Sequence, residues 1–338
     1  MLAVIVDFTR CASLPPPFAF KGQIVSDPNP PFVPSRLPSG LEAKVLEVDD
    51  TEECWSMDPR VWAPLARSEP IAEKMRQRVL RQGNTLPLLT ALCVALLSVM
   101  YTTTSGRAHG GVRTRLQYRA LPIADFGIVA GSVKVHPSDR LAFRRRSTGV
   151  YVRGQDPERH FWLYFKPVRG AEVLLDLSVF TFNLCSVVRS APYAPPAIVE
   201  LAEYAADAVP AYFVDRALRT GAGDVHTERH RVSALRDERL HHAVRYIQRG
   251  LDEVDVGLIT AFMADVAGRS ITENEVEVVS DVTMQYCGLL GSVLKDELWR
   301  NYPEEPPLAI QTDPDESLDS DSRPKHKDKR KKKEKETT

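Results

Sequence analysis

Arg159-His160-Phe161-Trp162-Leu163-Tyr164-Phe165, the turn segment Lys166-Pro167-Val168-Arg169-Gly170, and Val173-Leu174-Leu175-Asp176-Leu177-Ser178 together form the stretch on which the fold turns. Both outer runs are aromatic and branched, which suits a pleated, partly buried strand. The segment between them supplies turn chemistry, so the pair predicts a β-hairpin. In that hairpin His160, at the start of one strand, can lie beside Asp176, at the end of the other. A neighbouring carboxylate fixes the orientation and tautomer of an imidazole, which is what a general base requires. Any group for that base to activate has to come from another part of the chain.

Upstream, Gly83 closes a predicted helix over Pro64–Gln82, and Asn84 is a competent N-cap for the next one. Thr85, Leu86 and Pro87 form its first turn, and Leu88–Met100 is apolar on every face, so the helix should be central and buried. The apolar run Leu86–Tyr101 falls short of the roughly 20 residues of a membrane span and is interrupted by Pro87, Thr90 and Ser98. A core helix is therefore expected in place of a membrane anchor. Tyr101–Ala120 reads as an exposed, arginine-bearing loop. Its Gly106, Gly110 and Gly111 precede no G-K-[ST] or G-x-G-x-x-G pattern and make no phosphate loop.

Leu41–Val48 and Phe126–Val135 read as strands, and Arg140–Arg159 as a charged, flexible connection. Phe180-Thr181-Phe182 reads as a further short strand. From Pro195 onward the apolar spacing predicts helices over Ala197–Leu218, Glu228–Leu251, Gly257–Val266 and Asn274–Trp299. Ser270 with Glu273, or Thr272 with Glu275, supplies a capping box for the last. His226 and His230 then fall at i, i+4, followed by His241-His242, but no acid or cysteine completes an ordered ligand set, and solvated helix histidines are the expectation.

The order of parts adds a further reading. A buried helix opened by Gly83-Asn84, a strand with Ala130-Gly131-Ser132-Val133, a His160-x-Trp162 strand and a Leu175-Asp176-Leu177-Ser178 strand together resemble a transglutaminase-like (papain-like) core over about residues 80–185. The resemblance implies a catalytic cysteine at the start of the helix, with histidine and aspartate on successive strands. A helix N-terminus lowers a thiol pKa and stabilises an oxyanion, and such sites attack amides, thioesters or esters. Here the helix start carries Thr85. Cys93, the nearest cysteine, lies eight residues further on, about 12 Å down the helix, among Ala91, Leu92, Val94 and Ala95. His160 as base, Asp176 as its orienter, and Thr85 or Cys93 as nucleophile are the site residues this implies. Relative to the family pattern, Thr102–Asp125 is an insertion or retained intron sequence.

The fold class expected is α+β: a transglutaminase-like core, with a central buried helix on an antiparallel sheet, then an α-helical C-terminal half. The division is a Pro-rich arm over 1–40, the core over 41–190, a helical domain or lid over 191–305, and a disordered acidic-then-basic tail over 306–338. Across 338 residues the formal net charge is -1, with 43% hydrophobic and 26% charged residues, as in ordinary globular chains. The five cysteines include no C-x-x-C pair, which argues against a disulfide framework or zinc knuckle and fits a reducing compartment. No signal peptide is expected from the short first apolar run. No cofactor or metal is expected. Partners follow from two features: the cleft suits a peptide or protein substrate, and the basic run Lys325–Lys335 suits a nuclear import receptor or a polyanion, without specific nucleic-acid recognition. A nuclear or cytoplasmic protein results, and three readings stand beside one another. One is a degenerate or repurposed cysteine-hydrolase or acyltransferase site, another a non-enzymatic binding or scaffold protein, and the third a protein tethered to a membrane through Leu86–Tyr101.

Overall fold

The computed structural model describes residues 23–26, 34–49, 78–79, 82–104, 116–118, 120–183, 186–189, 208–210, 212–215, 225–303 and 308–310. In chain order, β1 (Gln23–Ser26), β2 (Ser35–Arg36) and β3 (Glu42–Asp49) precede the helix α1 (Thr85–Thr104). The strands β4 (Gln117–Tyr118), β5 (Leu121–Val133), β6 (Leu141–Arg145) and β7 (Tyr151–Arg153) follow, then the hairpin of β8 (His160–Pro167) and β9 (Val173–Asp176). Next come β10 (Ser186–Arg189), β11 (Ala208–Pro210), β12 (Tyr212–Asp215) and β13 (His226–Ser233). The helices α2 (Glu238–Ala243), α3 (Glu253–Ala267) and α4 (Glu273–Lys295) make the C-terminal region helical, and β14 (Leu308–Ile310) closes the described chain.

The chain is a mixed α+β protein whose central sheet runs β12-β9-β8-β5-β13, with β4 paired to β5, antiparallel throughout. A second sheet runs β1-β3-β6-β7, with β2 on β3, and contains the parallel pair β3–β6. A third joins β11, β10 and β14. Strand alternation decides what the central sheet carries on each side. Phe161, Leu163 and Phe165 of β8 join Phe126, Ile128, Val173 and Leu175 in the large core around α1. Trp162 and Tyr164 pack on the opposite face with Val129 and Leu174.

The side chains of α1 are buried continuously from Leu86 to Val99. That is tolerable because the sheet covers one side of the helix while α3 and α4 cover another. Its two interior hydroxyls bond back to the helix itself, Thr90 Oγ1 to Leu86 O at 2.9 Å and Ser98 Oγ to Ala95 O at 2.7 Å. Among the described residues, no helix is long and apolar enough to cross a membrane. The long helix α4 starts in the capping box expected of Thr272 and Glu275.

Several expectations are corrected. The stretch expected to be a flexible connection over 140–159 contains β6 and β7, and Leu141, Ala142 and Phe143 are buried against β3. Phe180-Thr181-Phe182 is part of a 3-10 turn, not a strand, and it stops at Asn183 with φ 64°. The segment expected to begin a helix at Glu228 is instead the strand β13, with short α2 beginning at Glu238. Tyr212–Asp215, expected within a helix, is a strand on β9. The segment 191–305 is thus not wholly helical, because it supplies both outer strands of the central sheet. The Pro-rich arm before residue 23, the loop 105–115 and the charged run after residue 310 lie outside the described residues, as does most of the helix expected over 64–82.

Gly127 of β5 shows how tightly β13 is seated. A Cβ there would lie 2.8 Å from Ala234 N and 2.9 Å from Ser233 Cα, and it would also strike Val232 O. These are backbone atoms and cannot rotate away. Gly127→Ala is therefore expected to cost about 2 kcal/mol, read as a lower urea midpoint; an unchanged midpoint would contradict this seating of β13.

Candidate functional site

The hairpin places His160 Nε2 2.6 Å from Asp176 Oδ2, with both side chains wholly buried. A third residue joins them from the far side of the sheet: His226 of β13 puts its Nε2 2.7 Å from the same oxygen. The register explains the meeting. His160 stands opposite Gly131 of β5 and His226 opposite Val133, two residues apart and hence on one face. Gly131 keeps that face open, since a Cβ would come within 2.5 Å of the Trp162 ring. The Trp162 ring in turn packs edge-on to His226 at 4.9 Å between centroids.

The other carboxylate oxygen, Oδ1, accepts from Ser178 N and Val179 N at 2.9 Å each and from Ser178 Oγ at 3.3 Å. These bonds fold residues 179–182 into their 3-10 turn, an aspartate-initiated turn. Burial alone would push the Asp176 carboxyl up; the His160 and then His226 contacts outweigh it and hold the carboxyl well below the usual carboxylate range. A carboxylate has only lone pairs to offer, so each hydrogen bond to Oδ2 uses a hydrogen on Nε2. His160 Nδ1 is buried and has no hydrogen-bond partner among the described residues.

The nucleophile candidates are placed elsewhere. Thr85 is the first residue of α1 and is 2% exposed. Its Oγ1 lies 3.5 Å from Gln155 Nε2, a marginal contact. No hydrogen bond joins Thr85 to His160. Cys93 is fully buried in the core, and burial pushes its thiol pKa far up, so it stays protonated. The structure thus brings His160 and Asp176 together and leaves Cys93 apart from them.

Beside the start of α1 lies a cavity of about 680 Å³. It is bounded by Gly83, Thr85 and Leu86, by Ala130, Gly131 and Phe161 of the sheet, by the loop 153–159, and by the end of α3. That loop is clasped to the helix start, where Gly83 N donates to Gln155 Oε1 at 3.3 Å and Gln155 N donates to Gln82 Oε1.

His160, Asp176 and His226 also form a group able to hold a metal ion, with ligand atoms all within 4.8 Å of one another. Their present geometry is that of hydrogen bonds, in which both Nε2 atoms point their hydrogens at one oxygen. Reading the sequence missed His226 as a member because β13 is an edge strand of Glu, Arg and His, and this charge pattern resembles a solvated helix. His226 is the one buried residue of β13, and nothing in the local sequence sets it apart from His230. Comparison with protein-family models, curated proteins and solved structures finds no match for this chain.

The pH dependence of the buried carboxylate follows from the direction of its shift. A folded-state carboxyl that titrates below its unfolded value, near 3.9, contributes stability in full above that value and loses it as pH falls toward the folded value. Asp176→Asn should cost about 3 kcal/mol at pH 7. The gap to wild type should narrow below about pH 4. Urea unfolding of both proteins across that range checks this, and a gap of constant size would contradict it.

Proposed function

We propose that this chain carries a transglutaminase-like core whose acyl-transfer chemistry has lapsed and whose cleft serves as a ligand-binding site. The observation that carries the reading is at the helix start. The position that a nucleophile would need is filled by Thr85, and Cys93 sits sealed in the core with its thiol held protonated. A thiol acts as a nucleophile only when ionised, so burial removes the one cysteine on α1 from that role.

The base half of such a site is nevertheless intact. Asp176 holds the His160 ring through Nε2 and leaves Nδ1 without a partner among the described residues, but the ring lies with Trp162 on the sheet face opposite α1. A threonine hydroxyl bonded weakly to Gln155 has no such contact with the imidazole. The neighbouring cavity falls within the size range of small-molecule sites. The cleft is accordingly read as binding without turnover, and the basic run Lys325–Lys335 is read, on sequence grounds alone, as a separate polyanion contact.

Iodoacetamide labelling with mass-spectrometric mapping tests this. In the native protein at neutral pH, Cys93 should remain unmodified, and His160→Ala should make no difference. Thr85→Cys should create a thiol at the helix start that labels at least about tenfold faster than Cys93, with or without His160. Rapid labelling of wild-type Cys93 that depends on His160 would overturn the proposal.

A further inference from the structure

We infer that the cavity at the start of α1 binds a small organic anion, with an oxyanion head held by Arg153 and Arg159 and an apolar body against Leu86, Phe161 and Val266. The charges around the cavity point this way once each pair is accounted for. Four arginines line it: Arg153, Arg159, Arg229 and Arg269. Arg229 is paired with Glu158 and Arg269 with Glu275, while the lining carboxylate of Asp265 is taken by Arg239 from outside. Asp156 uses Oδ1 to cap the amide of Glu158 in its own loop, at 3.0 Å.

Two guanidiniums, Arg153 and Arg159, are left with no side-chain hydrogen bond or ion pair among the described residues, and Asp156 is the one lining acid outside these ion pairs. Guanidinium groups are planar, permanently charged and suited to two-point contact with carboxylate or phosphate oxygens. The wall behind them is apolar: Leu86, Phe161 and Val266 are all buried residues that line the cavity.

The start of α1 adds to the same potential. The first turn of α3 holds Glu253 and Asp255 and that of α4 holds Glu273 and Glu275, with Asp255 and Glu275 closing capping boxes. The first turn of α1 holds no acid.

This inference rests on reading the cavity as a ligand site, and not on the loss of turnover. The two therefore fail separately: reactive Cys93 would leave the anion site standing, and an empty cavity would leave the labelling result standing.

The full chain is titrated by calorimetry with phenyl phosphate, benzoate and the neutral benzyl alcohol, and each titration is repeated on the Arg153→Ala/Arg159→Ala double variant. Saturable binding of either anion, weakened by about tenfold or more in the double variant, is the result expected. The better-bound anion identifies the head group as phosphate or carboxylate. Both arginines are exposed, so the double variant should keep the wild-type melting temperature without ligand, which separates lost binding from lost folding. No binding of either anion up to about 10 mM, equal binding of benzyl alcohol, or full affinity in the double variant would overturn the inference.

Discussion

A carboxylate removed from water must have its lone pairs filled by the protein, and the arrangement around Asp176 follows from that requirement. Five donors converge on it: two imidazole Nε2 groups at one oxygen, and two amides with one hydroxyl at the other. They come from two strands and from the turn after β9, so the carboxylate, itself at the end of β9, ties β8, β9 and β13 together on one face of the sheet. Losing any one donor leaves a buried charge less well satisfied, which is why a single residue couples hairpin, edge strand and 3-10 turn.

The opposite face answers to a different constraint. A helix apolar on all sides cannot lie on a surface, so α1 has to be enclosed, and the sheet alone cannot enclose it. The helices α3 and α4 complete the enclosure, and the C-terminal region therefore belongs to the same hydrophobic core as the hairpin. This burial also settles the chemistry of Cys93. Cys93, the one cysteine on α1, is wholly shut away in that core. The cavity lies at the start of α1, where the helix emerges beside β5, β8 and the loop 153–159.

Elements governed by local pattern were readable in the amino-acid order. The β8–β9 hairpin was marked by aromatic runs around a proline-glycine turn, α1 by its long apolar stretch, and α4 by Thr272 and Glu275. The contact of His160 with Asp176 was readable because a hairpin brings its two ends together. Elements governed by distant partners were not. β6 is a three-residue buried run, Leu141-Ala142-Phe143, flanked by arginines, and its parallel partner β3 lies about a hundred residues earlier. His226 meets Asp176 from 50 residues away along the chain, on a strand whose charges suit an exposed edge and look helical in isolation. Thr85 was identified correctly at the helix start, but its partner there, Gln155, depends on how the loop after β7 is clasped.

The shared carboxylate is tested most directly by long-range proton–nitrogen NMR of the imidazole rings of His160 and His226. Both rings are predicted to carry a hydrogen on Nε2 that exchanges slowly with solvent, as two donors to one buried oxygen require. A bare Nε2 in either ring, with hydrogen on Nδ1 alone, would contradict the shared hydrogen bonding and favour a site arranged to receive a cation.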